Sequence, residues 1–225
     1  MAAGLSDPVA GVFTSSNAAT YAFTSFTPTA GSLLVFWVFG TGLAGTGSLS
    51  NTGTALTWVQ QGTIEYPGGL RIYCFTAQVP ASVSASVITF ATNGASASGC
   101  GLCLQVVTGH DKGNPIRQVN SAWGSSSTPS VTFGSIAENS GVQCGGLINN
   151  AVYFFDDPSG WGYTDSDGWG TPNCGLKAVY GLSRGGENAM TSSMASGSAG
   201  WAVLHIEVRA NRGVVAKITQ FEGGG

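Results

Sequence analysis

The sequence predicts an all-β protein built as a single antiparallel β-sandwich, and three observations carry that expectation. Apolar residues recur with period two or in short unbroken runs, no stretch keeps a helical period beyond a turn or two, and turn residues fall between the runs. Each strand has a face to bury and needs a second sheet to bury it against, so many short strands with turns between them imply a sandwich or barrel.

In chain order, strands are expected over Val9–Thr14, Tyr21–Thr27, Ser32–Phe39, Ala55–Gln61, Leu70–Val79, Val83–Thr92 and Gly99–Thr108. Ser130–Phe133, Gly145–Phe155, Leu176–Leu182, Ala189–Met194 and Trp201–Arg209 complete the series. Thr27-Pro28-Thr29-Ala30-Gly31, Tyr66-Pro67-Gly68-Gly69, Val79-Pro80 and Asn93-Gly94 supply the breaks, with Pro28 and Pro80 placed to end hydrogen-bond ladders. Leu33 to Phe39 is apolar at every position, which predicts a central strand with protein on both faces. No Pro-rich or charged linker divides the chain and no repeat of fixed period is evident. A sandwich domain over residues 1–209 and a C-terminal arm over 210–225 are therefore expected.

Of 225 residues, eight are Lys or Arg, eleven Asp or Glu and two His, while Gly supplies 35. Most catalytic sites need several titratable groups in one pocket, so this poverty points to a protein that works through its surface and not to an enzyme. A net charge of −3 leaves no basic stripe to displace counterions from nucleic acid or to hold anionic lipid. Met1-Ala-Ala-Gly-Leu-Ser-Asp-Pro8 has neither the basic nor the apolar part of a secretory signal, and Leu33–Phe39 is too short to span a bilayer. Synthesis in a cytoplasm is the expectation. The five cysteines, Cys74, Cys100, Cys103, Cys144 and Cys174, are then expected as buried free thiols. Cys100 and Cys103 lie three apart on one strand and face opposite sides, which argues against a shared zinc ion.

Several segments in order resemble one pattern: Thr27–Val35, Leu56-Thr57-Trp58-Val59, Leu70–Ala77, Val83–Phe90, Leu104–Gly109 and Trp201–Val208. The layout resembles a jelly-roll-like β-sandwich family of bacteriophage virion proteins and bacterial surface proteins, over roughly residues 9–210. In that family a Pro/Ala-Gly turn opens a Leu-Leu-Val strand and the last strand begins near Trp-Ala. The resemblance implies no catalytic residue and no cofactor. It implies a virion protein, a capsid decoration or cement protein that contacts the major capsid protein and copies of itself, a trimer being one expected form. The alternative is a receptor- or glycan-binding module of a tail fibre or cell-surface protein.

Three surfaces are candidates for partner contact. Asp156, Asp157, Asp165 and Asp167 are interleaved with Trp161, Tyr163 and Trp169 in a stretch read as a long loop. Rings on a loop can stack on sugars or on a protein neighbour, or fold back over the sandwich edge, which is the preferred reading for Trp161 and Trp169. Asp165-Ser-Asp-Gly168 has the alternating oxygens and Gly of a calcium loop but lacks the downstream acid, so no metal is expected. His110, Asp111 and Arg117 form a second cluster. With no Gly-x-Ser-x-Gly elbow it reads as a salt bridge or an interface contact and not as a triad. In the arm, Val214, Ile218 and Phe221 are expected to contact a neighbour's strand edge, or to add an edge strand to their own sandwich. Glu207 is read either as an exposed-face residue of the last strand or as a paired buried acid, and the exposed face is the preferred reading because unpaired acids are seldom buried.

Overall fold

The computed structural model describes residues 4–6, 9–43, 46–92, 98–136, 141–152, 154–170, 173–183, 189–194 and 197–211. Nine strands come from the first half of the chain: β1 (Gly4–Ser6), β2 (Val12–Thr14), β3 (Thr20–Ala22), β4 (Leu33–Thr41), β5 (Ser48–Asn51), β6 (Val59–Tyr66), β7 (Leu70–Gln78), β8 (Ile88–Ala91) and β9 (Cys100–Thr108). Seven follow: β10 (Ile116–Ser126), β11 (Ser130–Thr132), β12 (Gly141–Asn149), β13 (Gly162–Gly170), β14 (Asn173–Leu182), β15 (Ala189–Thr191) and β16 (Ala199–Arg209). All pairings are antiparallel, and no helix occurs among the described residues.

The expected antiparallel sandwich is present, formed by two large sheets. One has the order β1-β9-β4-β7-β6, with β2 also on β9, and the other has the order β10-β16-β12-β14-β13. Two small sheets, β3-β8-β5 and β11-β15, cover the outer faces. β4 shows why this needs four layers. Its odd positions Leu33, Val35, Trp37 and Phe39 join Cys144, Ile148, Leu204 and Ile206 in the core between the large sheets. Its even positions Leu34, Phe36 and Val38 join Tyr21, Ile88 and Phe90 under the first small sheet. Every residue of β4 is buried, as its unbroken apolar run predicts. A third core places Val131 and Met190 of the second small sheet on Leu147, Val179 and Val203.

The strand orders also disclose a repeat that residue patterns do not. β9-β4-β7-β6 in the first half corresponds, in chain order, to β16-β12-β14-β13 in the second. The opening strands β1 and β2 lie on β9 as β10 lies on β16, and β3 pairs β8 as β11 pairs β15. The large sheets face each other about an approximate two-fold axis, so that β10 meets β6 as β2 meets β13. The chain exits from the two final strands lie side by side. Asp111 N donates to Arg209 O at 2.8 Å, and Asn211 N donates to Gly109 O at 2.9 Å.

Four strands were not legible as such: β1, β5, β10 and β13. The stretch from Asp156 to Asn173, read as a loop, contains β13, the edge strand of its sheet. β10 and β13 each pair with one neighbour only and carry Ser, Thr, Asn, Asp and Gly at half-buried or exposed positions. Edge strands need no continuous apolar face, and a hydropathy pattern therefore passes over them.

Candidate functional site

The aromatic and acidic residues around β13 do not form one row. β13 pairs with β14 through a register shift between Tyr163 and Asp165, and a bulge of this kind turns the residues beyond it to the opposite face. Tyr163 lies before the bulge and is 53% exposed on the outer face. Trp169 lies beyond it, 9% exposed in the core between the large sheets, where it cannot meet a partner. Trp161, half-buried, packs on the core beneath the second small sheet, with its ring 5.2 Å from that of His205. Trp161 and Trp169 thus both fold back, one over each face of the sheet.

The carboxylates of this stretch are engaged in internal bonds. Asp165 accepts from Gly11 N, which ties β13 to the residues before β2, and also from Ser166 N at 2.9 Å. Asp167 accepts from Gly168 N at 2.7 Å. Asp157 pairs with Lys177 at 2.6 Å, and the same ammonium donates to Phe155 O at 2.8 Å and lies 4.7 Å from the Tyr163 ring centroid. Lys177, nearly buried, organises an outer patch in which Phe154 is 59% and Val152 43% exposed. No group of three or more His, Cys, Asp or Glu suited to a metal ion occurs among the described residues.

His110, Asp111 and Arg117 do not converge either. His110 is 2% exposed, bridged to Ala210, and burial holds its imidazole below the ordinary pKa. Asp111 Oδ1 accepts from Gly113 N at 2.9 Å and Asn114 N at 3.3 Å and so shapes its own turn. Arg117 turns inward to Glu207 at 3.6 Å. His110 is thereby removed from the expected contact surface, whereas Arg117 stays exposed while pairing with the buried Glu207. Val214, Ile218 and Phe221 lie outside the described residues.

Glu207 overturns the preferred reading of an exposed face and takes the alternative, a paired buried acid. The outer face of β16 is covered by the second small sheet, which leaves Glu207 and His205 both 0% exposed. Glu207 accepts from Gln118 Nε2 at 2.8 Å and Ser183 Oγ at 3.1 Å, besides its pairing with Arg117. A buried carboxylate is tolerable only with such partners, and stripping it away leaves their donors unpaired. Glu207→Ala is expected to lower stability by about 2 kcal/mol in urea denaturation, and Glu207→Gln by less, since the amide keeps an acceptor.

All five cysteines are free and buried, as the sequence implies. Cys103 faces the core between the large sheets and Cys100 the opposite core. Burial pushes the thiols of Cys74, Cys100, Cys144 and Cys174 upward, away from the reactive thiolate.

The class these features define is an all-β sandwich with an internal two-fold in which Asp157, Asp165, Asp167, Lys177 and Glu207 are engaged within the molecule. No known family matches the chain, and no curated protein or solved structure matches it either.

Proposed function

We propose that the protein is a non-enzymatic structural component of a virion, a decoration or cement protein that binds the major capsid protein and copies of itself and so stabilises contacts between coat subunits. The supporting observation is the outer patch around Lys177, where Val152, Phe154 and Tyr163 are exposed on a scaffold of few charges. Aromatic side chains supply a large contact area at small entropic cost, and the Lys177 charge beside them is already paired with Asp157. The resemblance to virion sandwiches points the same way.

The test is cosedimentation of the purified chain with shells of the virus that encodes it. The variant carrying Phe154→Ser with Tyr163→Ser is expected to bind at least about tenfold more weakly, as loss of two ring contacts implies, with its melting temperature within a few degrees of the parent. Undiminished binding by the folded variant would remove the patch from the function.

A further inference from the structure

A groove of about 740 Å³ lies where the start of β6 and the end of β7 approach the start of β10, lined by Leu33, Val59, Gln61, Val79, Pro115 and Ile116 among others. A second hollow of about 410 Å³ adjoins it. Gln78, Val79 and Pro80 line both, and Gly31 and Lys112 lie in the second.

The end of β7 leaves a backbone edge open here. β6 pairs with β7 from Val59 opposite Thr76 onward, so no residue of β6 stands opposite Ala77 or Gln78. Val79 N donates to Ser32 O at 2.9 Å and Val79 O accepts from Gly31 N at 3.1 Å, so the backbone of Val79 faces the β4 side. Successive residues of an antiparallel strand turn their N–H and C=O to opposite sides. Gln78, opposite Leu33 in a non-hydrogen-bonded pair, therefore turns its N–H and C=O away from β4, and no backbone group of a described residue meets them.

The rim of the groove is cationic. Lys112 Nζ lies 3.5 Å from where a Cβ on Gly31 would stand, which sets the ammonium in the second hollow. Gln78 Nε2 donates to Lys112 O at 2.8 Å and holds this loop against the strand end. Arg209 N donates to Pro115 O at 2.7 Å. Neither Lys112 nor Arg209 forms an ion pair with a described residue, and the carboxylate of Asp111 is turned to Gly113 N and Asn114 N.

We infer that this groove binds the C-terminal end of an extended peptide from another protein, its main chain pairing with Gln78 and its terminal carboxylate meeting Lys112. Charge complementarity sets the choice of occupant. The ammonium stands at one end of an otherwise neutral groove, and a chain terminus carries its charge at its own end. A hydrocarbon carboxylate would leave the Gln78 backbone pair unmatched, whereas an added strand satisfies it. The inference is independent of the virion reading, since no groove residue belongs to the patch around Lys177.

The test presents the full chain to an array of random hexapeptides fixed through their N-termini, made in parallel with free C-terminal carboxylates and as C-terminal amides. Peptides retained as free acids are expected to bind about fivefold more weakly as amides, the scale of a well-placed exposed ion pair. Lys112→Gln is expected to weaken the free acids by the same factor, to leave the amides unchanged and to keep the parent melting temperature. Amide exchange at Gln78 is expected to slow by at least about tenfold when a retained peptide is added. No retention, equal retention of acids and amides, indifference to Lys112→Gln, or unchanged exchange at Gln78 would each overturn the assignment. Decanoate slowing Gln78 exchange as much as the peptides do would overturn it too, in favour of a lipid-like acid.

Discussion

Acidification from pH 6.5 toward pH 3 is expected to cost the fold on the order of 4 kcal/mol through His205 alone. His205 is 0% exposed on the outer face of β16, its ring stacked 3.9 Å from that of Phe133, and neither ring nitrogen has a hydrogen-bond partner among the described residues. Desolvation disfavours the imidazolium and lowers the pKa to about 3. In the unfolded chain the same ring takes up a proton near pH 6.5. Below that value the unfolded state binds the extra proton and the native state does not. The stability present at neutral pH is thus lost as pH falls, by about 1.4 kcal/mol per unit, until the native ring also titrates. Carboxylates contribute their own acid sensitivity, so the measurement is a difference between proteins. Urea denaturation of the parent and His205→Phe at pH 7, 5 and 4 is expected to show a steeper decline in the parent. Equal slopes would mean that the imidazole finds a proton-stabilising partner in the native state.

Trp37→Ala is expected to destabilise the protein by about 5 kcal/mol, which combines the cost of an aromatic truncation in a core with that of an orphaned acceptor. Trp37 is 0% exposed at the centre of the contact between the large sheets. Its Nε1 donates to Gln105 Oε1 at 2.8 Å, and Gln105 Nε2 in turn donates to Thr164 Oγ1 at 2.7 Å and Val179 O at 3.1 Å. The indole therefore fills the space between the halves and also anchors a buried polar chain that links β9 to β13 and β14. Removing it leaves a cavity and one unpaired amide oxygen. Trp37→Phe separates the two contributions, since it keeps much of the volume and loses the donor. The check is the urea midpoint at unchanged m-value. A loss below about 2 kcal/mol for Trp37→Ala would show that the halves close over the space.

How much could be read beforehand varies with how local the cause is. β4, β7, β9 and β16 were legible because buried strands must be apolar whatever their partners, and β9 also fixed the opposite faces of Cys100 and Cys103. Of the candidate contact residues, only Tyr163 of the aromatic trio stands exposed. The single bulge after it sends Trp169 inward, and alternation along the sequence carries no mark of that bulge. Phe154 and Val152, the other exposed members of the patch, fall within the expected strand over Gly145–Phe155, whereas β12 ends at Asn149. His205 and Glu207 looked like a polar outer face because their cover, the β11-β15 pair, comes from strands of three residues each.

By itself the sequence determined that the protein is all-β, that its central strands are buried on both faces, and that its thiols are enclosed. These follow from side-chain hydrophobicity and the two-residue period of a strand, which act within a few residues. The internal two-fold was decided only by tertiary structure, and the physical reason is steric. β4 and β12 face each other near the axis, where two equally bulky strands could not both fit. Trp37 and Phe39 instead lie over Gly146, whose absent Cβ would fall 2.8 Å from one ring and 3.0 Å from the other. Equivalent strands were driven to opposite compositions, Leu-Leu-Val-Phe-Trp-Val-Phe against Gly-Val-Gln-Cys-Gly-Gly-Leu, by the same packing that makes them equivalent.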